Sequence, residues 1–415
     1  MNKRSVIICS DLFTHSGAGK AISKVGSLIG EDDGLHVVYI GSESNLLNKR
    51  TLRGLYARFD SVIRKALIGN NLRHFTLLIK GFLNTDFLAK RIELTNAVVV
   101  IGWAHRGFLD YKSFLSNRNI PIIIRLSDEW LFTGGCHFPG DCKELSNECS
   151  SCPEVRWKIA NDLSKLLQFK RQCLKNSNIH LVFPSLTIMQ KYVRSFPDIS
   201  QRSYYIPTSV DTTRFFCDRS RRECNTLDLS SSKDIIFTFA AADPYNDYRK
   251  NIAFAIDLVE FMNDNHLASN DRKILLIIIG GSPRPNDNYS EKEYIMRVPY
   301  TSDVCMIRQI YSYSSLHLTT SYTDNLPNTT LEAMACGCPL ASFETGGLSE
   351  ITQHGVNGLL FKEFSRRLWA DSIMDYILNM KDRYPSFSFN SRRLALAHYS
   401  EKAISTKWQS LINSL

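Results

Sequence analysis

Short, continuous apolar runs recur along this chain with helical spacing between them, and that alternation limits its possible folds more than any other feature. In the first half the runs are Val6–Cys9, His36–Ile40, Ala97–Ile101, Pro121–Leu126, His180–Pro184 and Tyr204–Ile206. A second series opens after Asp234 with Ile235–Ala240 and continues through Ile274–Ile279, Leu316–Thr319, Leu340–Phe343 and Leu359–Phe361. A stretch such as ILLIIIGG (274–281) has no polar alternation, so both faces of the strand must be covered, as in a parallel sheet between helical layers. The expected fold is α/β, with two doubly wound Rossmann-like domains. Thr208–Lys233 is polar and lacks an apolar period, which makes it the expected linker. Residues 1–207 then form the first domain and 208–385 the second, with a C-terminal helix over 386–415 packing back on the first. Ligands of such sheets bind outside the carboxyl ends of the strands, so the functional site is expected in a cleft between the two halves.

The 415 residues are 44% hydrophobic and 22% charged, which excludes a disordered tail, a collagen and a disulfide miniprotein. Fifty Lys and Arg against forty-one Asp and Glu give +9, a balance that favours a phosphate-rich partner or an anionic surface. The apolar run near the N-terminus is four residues long with Asp11 close behind, a buried strand rather than a signal peptide. No run approaches the ~20 apolar residues needed to cross a bilayer. Eleven cysteines without a secretory signal are expected in a reducing, cytoplasmic compartment.

After the first strand, Ser16-Gly17-Ala18-Gly19-Lys20 leads into a helical stretch that could offer backbone N–H groups to a phosphate. A Walker loop would need Gly at 14 and Ser or Thr at 21, where Thr14 and Ala21 stand; a dinucleotide fingerprint would need Gly at 22, which is Ile22. Gly17 and Gly19 therefore serve either a phosphate contact or a simple chain reversal.

The most informative stretch is DNLPNTTLEAMACGCPLASFETGGLSE, residues 324–350. Pro327 suits a helix start because its missing N–H loses no partner there. Asn328, Thr329 and Thr330 follow, and the amide end of that helix makes a seat for a diphosphate. Asp324 precedes the helix and Glu332 lies inside it, so two carboxylates eight positions apart can flank one ligand at different heights. Gly337 is expected to end the helix, and Gly346-Gly347 marks a second turn of close approach. Taken singly, Glu332 reads as a solvated helix carboxylate and Asp324 as a cap; the joint pattern is much rarer than its parts.

This stretch resembles the signature of retaining glycosyltransferases of the two-domain B fold, family 4, whose acidic pair is usually Glu and Glu; here the first position is Asp324. HGVNGLLF (354–361) and YIPTSVDTTRF (205–215) resemble two further segments of that family, the second its interdomain linker. The resemblance implies that Glu332 holds the ribose hydroxyls and Asp324 those of the transferred sugar. It places Asn325, Leu326, Asn328, Thr329, Thr330, Gly346 and Gly347 on the donor. Lys250, with Arg249 second, would neutralise the diphosphate, the more so because Ala241-Ala242 stand where many members carry an Arg.

Residues 121–153 resemble a subgroup that builds bacterial surface polysaccharides, through Asp128, Trp130, Thr133, Gly134, Gly135, Cys136 and His137. The His expected before Asp128 is Ser127, so its role towards the sugar is either missing here or filled by His105 or His137; either His alone is more often a packed residue. The same stretch holds Cys136, Cys142, Cys149 and Cys152, whose spacing fits a structural zinc or four free thiols; a catalytic metal is not expected, since four sulfurs leave no open position. From Lys49 to Leu83 there are eight basic residues against Asp60, with Leu52, Leu55, Phe59, Val62, Ile63 and Leu67 at helical spacing. Such a helix can lie on an anionic membrane, or pack its apolar stripe on the first domain with its cations solvated.

Together these readings imply a retaining glycosyltransferase, peripheral on the inner face of the cytoplasmic membrane. It would move a sugar from a UDP- or GDP-linked donor to a lipid-diphosphate-linked oligosaccharide in O-antigen or capsule assembly. No cofactor is needed for the chemistry, and no nucleic-acid partner is expected. A nucleotide-sugar epimerase of the same fold and a non-catalytic basic module binding membrane or nucleic acid are the alternatives.

Overall fold

The computed structural model describes residues 4–10, 17–30, 34–41, 75–77, 80–90, 96–105, 107–140, 142–155, 160–218, 229, 235–265, 273–281 and 292–415. The chain divides into two compact units, Met1–Pro207 with Ser405–Leu415, and Thr208–Ile404. Of the basic segment 49–83 only 75–77 and 80–83 are described, so its expected amphipathic helix over Leu52–Leu67 lies outside the described residues, as do Ser16 and most of 219–234.

In the first unit, β1 (Arg4–Ser10), β2 (Leu35–Gly41), β3 (Ala97–Ile101), β4 (Ile122–Arg125), β5 (Ile179–Phe183) and β6 (Ser203–Tyr205) form one parallel sheet in the order β2-β1-β3-β4-β5-β6. Residues alternate between its faces, and both faces are dry. Ile7, Val99, Ile122 and Leu181 join one apolar cluster, while their neighbours Val6, Val98, Val100 and Ile123 are equally buried on the other side. The last stretch of the helix Glu401–Ser414 belongs to this unit: Trp408 and Ile412 are fully buried, Ser405 donates to the Leu28 carbonyl at 3.0 Å, and Arg4 donates to the Ile412 carbonyl at 2.7 Å.

The second unit repeats the plan with β7 (Ile235–Ala240), β8 (Ile274–Ile279), β9 (Ile295–Val298), β10 (Leu316–Thr319), β11 (Leu340–Phe343) and β12 (Gly358–Phe361), ordered β12-β11-β10-β7-β8-β9 and parallel throughout. Ile235, Phe237, Ile274 and Leu276 point into one apolar cluster, and Ile236, Ile277 and Ile279 into another. The unbroken apolar reading of 274–279 has its cause here, since both faces of β8 carry a core. β9 was not expected from the sequence. Its residues Ile295, Met296 and Arg297 are only half-buried at a sheet edge, so they need no continuous apolar run.

The α/β fold of two doubly wound units stands as expected. The linker start is pinned, with Val210 paired to Ser400 and Phe215 buried. Among the described residues no helix is long and apolar enough to cross a membrane.

Candidate functional site

In the second unit the chain leaves β7 towards β8 and β9, then returns to the other side of β7 for β10, β11 and β12. The connections after β7 and β10 diverge from adjacent strand ends, which opens a crevice where ligands of such sheets bind. DPYNDYRKN (243–251), which holds Arg249 and Lys250, and DNLPNTT (324–330) follow these two strands.

The helix after β10 runs from Asn328 to Ala335 behind Pro327, as expected from the proline. Pro327 makes no side-chain cap and the first turn holds no acid, so the partial positive charge of the helix end is not neutralised by its own side chains. Both ends are anchored. Thr329 Oγ1 donates to the Ala240 carbonyl at the end of β7 at 3.1 Å, and Thr330 Oγ1 lies 3.0 Å from Thr319 Oγ1 of β10. At the other end Arg392 donates to the Ala335 carbonyl at 2.8 Å and to those of Phe215 and Thr212, a cation at the negative pole of the helix. Gly337, at φ +74°, turns the chain out of the helix.

Lys250 and Asp324 meet at the mouth of the crevice in a short ion pair, which Ser321 Oγ supports by donating to Asp324 at 3.3 Å. Lys250 is held by its backbone as well: Asn251 takes a left-handed conformation, and Thr320 donates to the Lys250 and Asn251 carbonyls at 3.2 and 2.9 Å. Arg249 has a different post. It is buried and forks onto Asp247, Nε to Oδ1 at 3.0 Å and Nη2 to Oδ2 at 2.6 Å. Asp247 was not singled out from the sequence, although an acid two residues before an Arg at a helix entry was a legible signal.

Gly346 and Gly347 turn directly over the strand-end loop of β10. A Cβ on Gly346, whose φ is +50°, would sit 1.8 Å from the Asp324 carbonyl oxygen, and one on Gly347 would sit 2.2 Å from that of Asn325. Gly347 N–H instead donates to the Asn325 carbonyl at 2.7 Å, fixing the loop that carries Asp324. Asn325 and Leu326 are both buried beneath this turn. Glu332 is half-buried on the helix, and its charge reaches Tyr311 and Cys336. Burial first, and the Glu332 charge second, push the Tyr311 hydroxyl well above its ordinary range.

The first unit gathers its own expected residues. Asp128 follows β4 and accepts from the Trp130 amide at 3.0 Å; its second oxygen lies 2.6 Å from His137 Nδ1 and 3.8 Å from His105 Nε2. His137 Nε2 lies 2.9 Å from Thr76 Oγ1, and Trp130 Nε1 donates to the Thr76 carbonyl at 2.8 Å. Burial alone would raise the Asp128 carboxyl, but the two imidazoles and the Trp130 amide outweigh it and hold it down at about 2. His105, Asp128, Trp130 and His137 are all buried, with exposures of 2–8%. Gly17 and Gly19 open the helix Gly17–Gly30 after β1, and a Cβ at Gly17 would meet nothing within 4 Å.

Residues 234–379 match the family model described as Glycosyl transferases group 1, so the second unit carries a domain of that kind. Among curated proteins, a probable sucrose-phosphate synthase of Thermosipho melanesiensis is 23% identical over 234 residues, 54% of this chain and 50% of the relative. A D-inositol 3-phosphate glycosyltransferase of Thermobispora bispora is 33% identical over 85 residues, 20% of each chain. The chain thus spans half or less of the length of these relatives. Among solved structures, sucrose-phosphate synthase from Thermosynechococcus elongatus aligns with a TM-score of 0.68 at 14% identity, covering 100% of this chain and 99% of the other. HepE of Anabaena, solved with UDP-glucose, aligns with a TM-score of 0.62 at 13% identity over 99% and 100%. These likenesses show the fold, two Rossmann-like units of the glycosyltransferase B type.

Proposed function

We propose that the protein is a retaining glycosyltransferase whose nucleotide-diphosphate sugar binds at the β7/β10 strand ends. The observation that carries the reading is that, inside a group 1 domain, the Lys250–Asp324 pair and a helix that starts behind Pro327 with no acid in its first turn follow the adjacent strands β7 and β10. An anion fits there. A diphosphate would take the helix amides and draw Lys250 away from Asp324, which frees the carboxylate for hydroxyls of the transferred sugar. Glu332 takes the ribose hydroxyls, and Gly346-Gly347 allow the sugar side of the donor to approach the backbone. UDP is the favoured nucleotide, because HepE is solved with UDP-glucose and the pneumococcal O-GlcNAc transferase GtfA with UDP.

In the reaction the bond from the anomeric carbon to the diphosphate breaks and the acceptor oxygen bonds to that carbon on the same face. The acceptor proton passes to the leaving phosphate oxygen. Lys250 and the helix end stabilise the charge that gathers on the leaving group, and the site positions rather than attacks. The +9 charge fits an acceptor that is itself anionic, and we assign it as a lipid-diphosphate-linked oligosaccharide of surface-polysaccharide assembly, met at the inner face of the cytoplasmic membrane.

Transfer from radiolabelled UDP-sugars to lipid extract tests both parts. Wild type should label the lipid fraction and Glu332→Gln should label it far less; equal labelling by the two proteins would remove the carboxylate assignment. Label that accumulates as free epimer would place the protein among epimerases instead.

A further inference from the structure

The described residues of 133–155 hold no strand and only one three-residue 3₁₀ turn, Lys143–Leu145, yet most of their side chains are at least half-buried. An irregular segment of this length needs a fastening, and its apolar cluster is small: Phe75, Leu163, Leu167 and Cys149 are buried, and Leu77, Leu145, Val155, Cys136 and Cys152 pack against them half-buried. We propose that Cys136, Cys142, Cys149 and Cys152 bind one structural zinc ion in the first unit.

All four are free thiols brought within electrostatic range of one another from a seventeen-residue stretch. Cys136, Cys149 and Cys152 share one buried cluster, and Cys142 lies within electrostatic range of Cys136. The backbone fixes the segment locally: Gly134 N–H donates to Cys149 Sγ at 3.2 Å, and the Val155 amide donates to the Cys152 carbonyl at 3.4 Å, closing the turn after Cys152. Glu148 and Cys149 adopt φ of +54° and +58°, two successive non-glycine residues in the left-handed region, a conformation that persists only where its surroundings fix it.

Charge points the same way. Binding releases a proton from each thiol as its Zn–S bond forms, and four thiolates exceed the charge of one Zn²⁺ by two. Lys170 is fully buried, within electrostatic range of Cys149, Asp128 and Cys136, and its Nζ donates to the Trp130 carbonyl at 2.6 Å. Among the described residues, the only acidic, His or Cys group whose ligand atoms all fall within 4.8 Å of one another is His105, Asp128 and His137. In that trio Asp128 is held by His137 at 2.6 Å, and His137 in turn reaches Thr76 at 2.9 Å. No three of the four sulfurs meet the 4.8 Å limit, and the ion would draw them together to Zn–S bonds of about 2.3 Å.

The test uses the full-length chain purified without chelator from zinc-supplemented medium. We expect about one zinc per chain, and after exchange to Co²⁺ the intense visible bands of tetrahedral cobalt together with thiolate-to-metal charge transfer. Cys142→Ser should cut metal content several-fold while far-ultraviolet circular dichroism stays unchanged. If that variant does not fold, the wild-type cobalt spectrum decides alone. Zinc far below one per chain would overturn the assignment, and so would a bound Co²⁺ without thiolate charge transfer, which would place the ion on the His105 trio. Donor binding at β7 and β10 is read separately, so the two proposals fail independently.

Discussion

Gly346→Ala, read against Gly355→Ala, separates two reasons for a glycine. Both positions have positive φ, +50° and +74°, so each alanine incurs the left-handed penalty of about 1–2 kcal/mol. Only one also collides. A Cβ at Gly355 meets nothing within 4 Å, whereas at Gly346 it lands 1.8 Å from the Asp324 carbonyl oxygen, against an ordinary contact of about 3.3 Å. Relieving that overlap requires a shift of roughly 1.5 Å in a packed loop, which adds about 1–3 kcal/mol. Gly346→Ala should therefore cost about 2–5 kcal/mol and Gly355→Ala about 1–2. With a urea slope of about 2 kcal/mol/M, the midpoints of the two variants should differ by roughly 0.5–1.5 M. The displaced loop carries Asp324, so titration with UDP should also show weakened binding in Gly346→Ala and unchanged binding in Gly355→Ala. Equal midpoints and equal affinities would refute the claim that close approach to Asp324 requires the glycine.

Lys250→Met should weaken UDP binding about 10- to 100-fold by calorimetry, the worth of a charge-assisted hydrogen bond; Arg249→Met should affect stability instead, because its fork is taken up by Asp247. Arg392→Met should lower stability by about 2–3 kcal/mol in urea titrations, since it leaves the carbonyls of Thr212, Phe215 and Ala335 without their donor. Burial holds His317 at about 3, below its ordinary 6.5, with Nδ1 3.1 Å from Thr238 Oγ1. Between those values the unfolded chain binds a proton that the folded chain refuses, so His317 costs up to ~1.4 kcal/mol per pH unit as pH falls from 6.5. Wild type should lose about 2 kcal/mol more than His317→Gln between pH 6.5 and pH 5, read from urea midpoints.

The strands with two buried faces announced themselves, because a residue that meets a core on either side leaves an unbroken apolar run. β9 did not, being an edge strand with Arg297 among its residues. The helix at Asn328 was legible from Pro327, and its end from Gly337, since each residue type has one local reason to stand there. The partners of these residues were not legible. That Lys250 meets Asp324 depends on β7 and β10 being neighbours despite lying far apart in the chain, which is a property of the sheet order. That Arg392 closes the helix from a distant segment depends on packing as well. The burial of His105, Asp128, Trp130 and His137 shows a further limit: residues expected to touch a sugar also pack against one another in the interior of the first unit.

A donor diphosphate at the ends of β7 and β10 is the central claim, and a crystal structure of the protein soaked with UDP tests it most directly. The diphosphate should lie within hydrogen-bond distance of Lys250 Nζ and of the backbone amides at Asn328–Thr330, with Lys250 drawn off Asp324. A diphosphate bound elsewhere, with the Lys250–Asp324 pair undisturbed, would contradict it.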